Sequence, residues 1–365
     1  MATLFLYALG SVALRRQSFH QMDLMARQKE VREWLGSDRR MVASDATYLR
    51  ILPRMVRSQL REELQQANVL LRQKGHGKLT LPGGRTIRAA AVDGTVLSGR
   101  YASVLEVMGG HPAVVDLEPC EGKGKELPAS ERLLRRVVKR HGKGFVEIVL
   151  GDGLYITEGM LRLCREELGI PLLVKSRELD SLLILQDAEA IFLAGKDFQG
   201  DIEHVHGTDV ERGMHYEAWA TRGFHHGSFP DDLKVARVRI QMLKGPRKNQ
   251  TETFWIVTTD VTLSAEQMRE LAHSRWSIEN HTFRALNAYV DSKHVWTRGR
   301  QAAETFEAWM LIVALSFTLV LAYHAHLDSE QLWEALRLRR VTLGYLGDCW
   351  LLSLSTAAGL FRVDG

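Results

Sequence analysis

Apolar runs of strand length alternate with helix-spaced segments from residue 86 to residue 177, and no other feature narrows the fold of this chain as far. Thr86 to Val92 is a short run that ends at Asp93-Gly94-Thr95. Leu105 to Met108 and Ala113 to Leu117 are strand candidates separated by Gly109-Gly110-His111-Pro112, a hairpin turn sequence. Glu131 to Arg140 has helical spacing, and Phe145 to Leu150 is an apolar run stopped by Gly151-Asp152-Gly153. Glu158 to Leu168 is helical again, and Pro171 to Val174 reads as a buried strand. Alternation of this kind is the signature of an α/β fold, in which helices cover the faces of a sheet.

The pattern changes between residues 178 and 262. His204-Val205-His206, Tyr216 to Ala220, Lys234 to Ile240 and Thr253 to Thr258 cluster β-branched and aromatic residues between turn residues, which predicts an all-β insertion. Ser264-Ala265-Glu266-Gln267 then forms a capping box that opens a long helix, and residues 300–340 read as helical. Ahead of the core, residues 1–75 also read as helices. Ser37-Asp38 and Ser44-Asp45 are N-cap candidates, and Leu60, Leu64 and Ala67 recur at helical spacing before the break at Gly75-His76-Gly77. The expected organisation is a helical region over 1–80, a first core part over 81–177, the β-rich insertion over 178–262, and a second core part with C-terminal helices over 263–365.

The 48 Lys plus Arg against 44 Asp plus Glu leave a formal charge of only +4, which neither demands nor excludes a nucleic-acid partner. Three distant cysteines, Cys120, Cys164 and Cys349, make neither a disulfide framework nor a metal-binding pair and point to a reducing cytoplasm. The longest apolar run, Trp309 to Ala322, has 14 residues, short of the ~20 needed for a membrane span, and is expected to be a core helix with no membrane partner. The apolar N-terminal stretch lacks a preceding basic residue and is expected to be another.

Three carboxylates stand out by position. Asp93 and Asp152 follow apolar strands and are flanked by glycine; on parallel neighbouring strands both would project from the carboxyl edge, where α/β sheets build their sites. Glu279 lies in Arg275-Trp276-Ser277-Ile278-Glu279-Asn280 on the capped helix, four residues after Arg275 and on its face. Singly, Asp-Gly after a strand is most often a turn, and Arg275–Glu279 an ordinary surface pair. Converging, three carboxylates suit hard divalent cations such as Mg²⁺, which prefer oxygen ligands and keep positions open for phosphate oxygens.

Ala-Val-Asp-Gly-Thr at 91–95, Leu-Gly-Asp-Gly-Leu-Tyr at 150–155 and His-Ser-Arg-Trp-Ser-Ile-Glu-Asn at 273–280 resemble the three acidic motifs of DDE insertion-sequence transposases with a β-strand insertion before the final Glu. Gly124 to Pro128, Leu173 to Arg177 and the strand Trp255 to Asp260 are similar to that family too, so the resemblance covers roughly residues 40–325. Asp152 and Glu279 are 127 positions apart, where one helix, one strand and two loops would take roughly 35–40, and the excess matches the β-rich segment.

The resemblance implies an RNase H-like mixed sheet with Asp93, Asp152 and Glu279 as catalytic residues. They would hold two Mg²⁺ ions (Mn²⁺ as a substitute) for cleavage and strand transfer of double-stranded DNA, at element ends and target. It further implies a homodimer on paired DNA ends and a bacterial, nucleoid-associated location. A Tyr and a Lys that complete the Arg–Glu signature in one branch of the family are replaced here by Ala272 and Leu286, so hairpin-end chemistry does not carry over. A transposase-derived DNA-binding protein without activity and a stand-alone metal-dependent nuclease are the alternatives. The helical region ahead of Asp93 is short for an end-binding module.

Arg275, Lys175, Arg177 and Asn280 are the expected DNA contacts near the carboxylates, and Trp219 the aromatic expected to stack on an unpaired base. Trp255 reads as core and Trp276 as helix packing. Arg132, Arg135, Arg136, Lys139 and Arg140, then Arg237, Arg239, Lys244, Arg247 and Lys248, are candidate backbone tracks or simply solvated faces. Strand histidines 204 and 206 lack the ligand spacing of a zinc site, and no P-loop or nucleophile elbow occurs.

Overall fold

The structure, a computed structural model, describes residues 8, 18–29, 44–109, 113–177, 182–195, 201–284, 286–287, 291, 293–296, 298 and 301–326. Most of the apolar N-terminal stretch, the Ser37-Asp38 cap candidate, the Gly110 to Pro112 turn, residues 327–340 of the expected C-terminal helix and Cys349 lie outside the described residues.

The chain folds as a mixed α/β protein around a nine-stranded sheet. Its strands are β3 (Ala89–Leu97), β4 (Arg100–Val107), β5 (Ala113–Pro119), β6 (Ile148–Asp152), β7 (Leu172–Ser176), β8 (Glu203–Asp209), β9 (Met214–Phe224), β10 (Leu233–Met242) and β11 (Thr251–Thr258); a separate two-stranded ribbon pairs β1 (Leu79–Thr80) with β2 (Thr86–Ile87). The order across the sheet is β5-β4-β3-β6-β7-β11-β10-β9-β8. β3, β4 and β5 are antiparallel, β6 runs parallel to β3, and β7 parallel to β6. The parallel trio therefore ends at one edge.

β3 continues past Asp93 to Leu97, where the sequence suggests a stop. The strand turns back at Ser98-Gly99, both at positive φ (51° and 71°), a two-residue hairpin whose twist suits the flanking strands. The 178–262 segment is not all β, and here the expectation is corrected. Leu183–Ala194 is a helix, with Ile184, Leu185, Ala188 and Phe192 buried at helical spacing. Nor does the insertion form its own sheet. β11 pairs antiparallel with β7, so β8 to β11 extend the core sheet by four strands.

Helices cover both faces. We label them α1 (Phe19–Ala26), α2 (Asp45–Ile51), α3 (Arg57–Gln73), α4 (Glu126–His141), α5 (Glu158–Arg162), α6 (Leu183–Ala194), α7 (Ala265–Ser274) and α8 (Ala302–His326). Ser44 caps α2 through the amide of Thr47, and Ser264 with Gln267 forms the capping box of α7. One core packs α1, α2, α3, α7 and α8 against alternate strand residues such as Ala89, Ala91, Leu150 and Leu173. The other packs α4, α5 and α6 against Ala90, Val92, Val149 and Val174. The period-2 alternation of the strands sorts each side chain to one core or the other. Helix α8 is longer than the apolar run suggests. Its Ala302–Leu319 stretch is apolar enough to cross a membrane, yet 72% of it is buried against the rest of the protein.

Candidate active site

The parallel register Ala91↔Leu150, continued by two residues, sets Asp93 opposite Asp152, and Asp152 pairs with Lys175. All three share strand parity with Ala91, Leu150 and Leu173, and so face the α7 side of the sheet at the carboxyl edge. Helix α7 delivers the rest. It ends at Ser274 with Arg275 as C-cap, and after a turn the chain enters a π-helical segment, Ile278–Phe283, that carries Glu279 and Asn280. Wide turns of this kind are frequent at functional sites. The Glu is thus one joint beyond the capped helix rather than inside it.

Arg275 bridges the acids. Its Nη1 lies 3.4 Å from Asp93 Oδ2 and its Nη2 2.7 Å from Glu279 Oε1. Three of the four remaining oxygens are also engaged. Asp93 Oδ1 accepts from the Gly94 amide at 2.8 Å, Glu279 Oε2 from Trp276 Nε1 at 3.1 Å, and Asp152 Oδ1 from the Leu154 amide at 3.0 Å. Burial pushes the Asp93 carboxyl up to about 7; the Arg275 charge pulls it down, while Asp152 and Glu279 push it further up. Lys175 is half-buried, its Nζ 3.9 Å from the centre of the Phe254 ring, and burial lowers its pKa to about 8.

One expected contact falls elsewhere. Trp219 has the opposite strand parity and packs with the far core; His204 stacks on its ring at 5.0 Å, and the Arg237 guanidinium sits over it at 4.1 Å. It is not beside the carboxylates. Arg177 follows the end of β7 at the site edge, exposed and paired with Glu252 at 3.3 Å. Asn280 is half-buried next to Glu279. The expected basic track on α4 is largely neutralised, because Arg132, Arg135 and Arg136 pair with Glu118, Glu167 and Asp116. Arg239, Arg247 and Lys248 are exposed.

Sequence reasoning missed two features. Trp276 is 40% exposed and hydrogen-bonds Glu279, instead of packing its helix. Glu106 is fully buried on β4 behind Asp93, and its Oε1 accepts from Ser277 Oγ at 3.1 Å. Burial pushes Glu106 up to about 7, with the Thr282 and Ser277 hydroxyls opposing. A lone carboxylate inside Val104-Leu105-Glu106-Val107-Met108 was the available signal.

Among the described residues no group of three or more His, Cys, Asp or Glu side chains is arranged to hold a metal ion as it stands. The donor chemistry nevertheless fits a hard divalent cation, since three carboxylates, oxygen donors only, gather on one edge close enough for Asp152 and Glu279 to act on Asp93 electrostatically. Comparison with family models and with curated proteins finds no match for this chain.

Proposed function

We propose that the chain is a DNA transposase that cuts and joins phosphodiesters with Asp93, Asp152 and Glu279. The observation carrying this reading is the convergence of the three acids with Arg275 and Lys175 at the carboxyl edge of β3, β6 and β7. Strand order supports an RNase H-like core. β5-β4-β3-β6-β7, three antiparallel strands followed by two parallel ones, is the arrangement such a core requires, with β8 to β11 as the insertion between the second Asp and the Glu.

Asp93, Asp152 and Glu279 would hold two Mg²⁺ ions, whose chemistry is Lewis acidity at the scissile phosphate and at the attacking hydroxyl. The chain's own groups bind and orient. Lys175, on the same row as Asp152, offers a cation to phosphate oxygens, and Arg275 offers a planar fork to the same anion. Trp276 fixes one oxygen of Glu279, and Ser277, anchored on buried Glu106, fixes the turn before it. Ala272 and Leu286, at the two departures from the family signature, are buried in the core and offer nothing to a DNA end.

The test is whether inverted repeats flank the coding region, and then Mg²⁺-dependent cleavage and strand transfer on DNA carrying them. Asp152→Ala is expected to lower both by more than about 100-fold. Equal cutting and joining by Asp152→Ala sinks the reading. The second reading, a DNA-binding protein that does not cut, is favoured by the Arg275 bridge between the acids; it predicts binding of those ends with no cleavage in Mg²⁺.

A further inference from the structure

We infer that Arg275 is the counter-ion of the carboxylate cluster in the metal-free protein, and that a divalent cation enters the site by displacing its guanidinium. The inference rests on the reading of Asp93, Asp152 and Glu279 as metal ligands and concerns how that site is regulated.

The assignment of individual oxygens is what carries it. Asp93 Oδ1 and Glu279 Oε2 each accept from a neutral N–H held by the local fold, Gly94 and Trp276. On Asp93 and Glu279 the oxygens that remain for a cation, Oδ2 and Oε1, are the two that Arg275 holds, while Asp152 offers its Oδ2 outside that bridge. A metal ion and the guanidinium therefore compete for the same pair of atoms. They compete because, with no phosphate bound, nothing at the site offsets the repulsion between the guanidinium and an incoming cation. The cluster as it stands is accordingly not a metal cage, since an arginine takes that place.

Arg275 is also poorly settled where it is. Its side chain is only 10% exposed, yet its Nε is buried without a hydrogen-bond partner, so charge holds the guanidinium more than hydrogen-bond completeness does. It leaves from the end of α7, ahead of the π-helical turn, on a long flexible stem. Once displaced it stays at the site edge as an unpaired cation, suited to a phosphate oxygen. Linkage then makes the exchange reciprocal: a phosphate that draws Arg275 away tightens metal binding by the same factor as the metal tightens phosphate binding.

Mn²⁺ binding to the full chain, measured by calorimetry without DNA, tests this directly. Arg275→Gln is expected to bind Mn²⁺ at least about 5-fold more tightly than the parent, and Arg275→Lys, which keeps charge but loses the fork, to fall between. Asp152→Ala is expected to lose binding in both backgrounds. If neither Arg275 variant binds more tightly while Asp152→Ala still abolishes binding, the exchange is wrong and the metal site stands. If Mn²⁺ binds Asp152→Ala as well as the parent, the carboxylate reading itself falls. The two Arg275 variants are read independently, so loss of folding in one leaves the other to decide.

Discussion

Glu106 shows how a single buried carboxylate leaves a thermodynamic signature. Its pKa rises from the ordinary carboxylate range to about 7. Between those values the native state binds more protons than the unfolded chain, so this group's contribution to stability falls as pH rises from about 4.5 to about 7. Glu106→Gln keeps an acceptor for Ser277 and removes the charge. It is expected to flatten this part of the profile and to gain about 1–3 kcal/mol at pH 8. Urea denaturation of both proteins at pH 5 and pH 8 checks it, and an equal difference at the two pH values would contradict the assignment. Gly151 poses a steric question beside it. A Cβ there would lie 2.9 Å from the ring of fully buried Tyr155, whose hydroxyl is tied to Ser130. Gly151→Ala should therefore cost about 1–3 kcal/mol from overpacking, read as a lower denaturation midpoint. The glycine before Asp152 serves packing as much as the turn.

Among the elements, the β8–β9 hairpin and α7 are the pair that matters most to the site. Arg212, in the hairpin turn, forks onto Glu270 of α7 at 2.8 and 2.7 Å and also reaches Asp209 at 2.8 Å. Arg269 of α7 lies over the Tyr216 ring, and Tyr216 OH donates to Glu266 at 2.9 Å. Glu203 accepts from the first amide of α7 and pairs with buried Lys234. The insertion thus braces the helix that ends at Arg275. Arg212→Ala leaves Glu270 and Asp209 without their main cation, and with partial solvent screening the expected cost is about 1–2 kcal/mol. Thermal melting of the variant measures it; an unchanged midpoint would mean the brace is ornamental to stability. The contacts between the hairpin and α7 were not legible in sequence, because Arg212 and Glu270 are 58 residues apart and nothing local relates them.

At the scale of the whole molecule, the insertion cannot be lifted out. Its last strand, β11, pairs with β7 from Trp255↔Ser176 to Thr258↔Leu173, and its apolar residues are shared between both cores. Limited proteolysis of the native protein is expected to yield no stable fragment corresponding to residues 201–258. Release of such a fragment with its strands intact would show that the sheet is divisible.

What the sequence determined by itself was local. The order of strands and helices around Asp93 and Asp152, the capping box at Ser264 and the amphipathic face of Leu60, Leu64 and Ala67 all follow from periodicity and from side-chain hydrogen bonds within a few residues. It also put Asp152 at the end of its strand, whereas Asp93 lies inside β3 and Glu279 one turn beyond the capped helix. The helix at Leu183–Ala194 was legible too, but its apolar spacing was lost in a segment dominated by strands. Tertiary structure alone decided which face of each strand met α7. Strand parity relates Asp93 to Ala91 and Trp219 to its neighbours, but which side receives α7 depends on the packing of distant segments, and that choice gathered Lys175 and left Trp219 behind. Pairing of β11 with β7 and the seating of Arg275 between Asp93 and Glu279 are likewise contacts between residues far apart in the chain, and only the closed sheet brings them within reach.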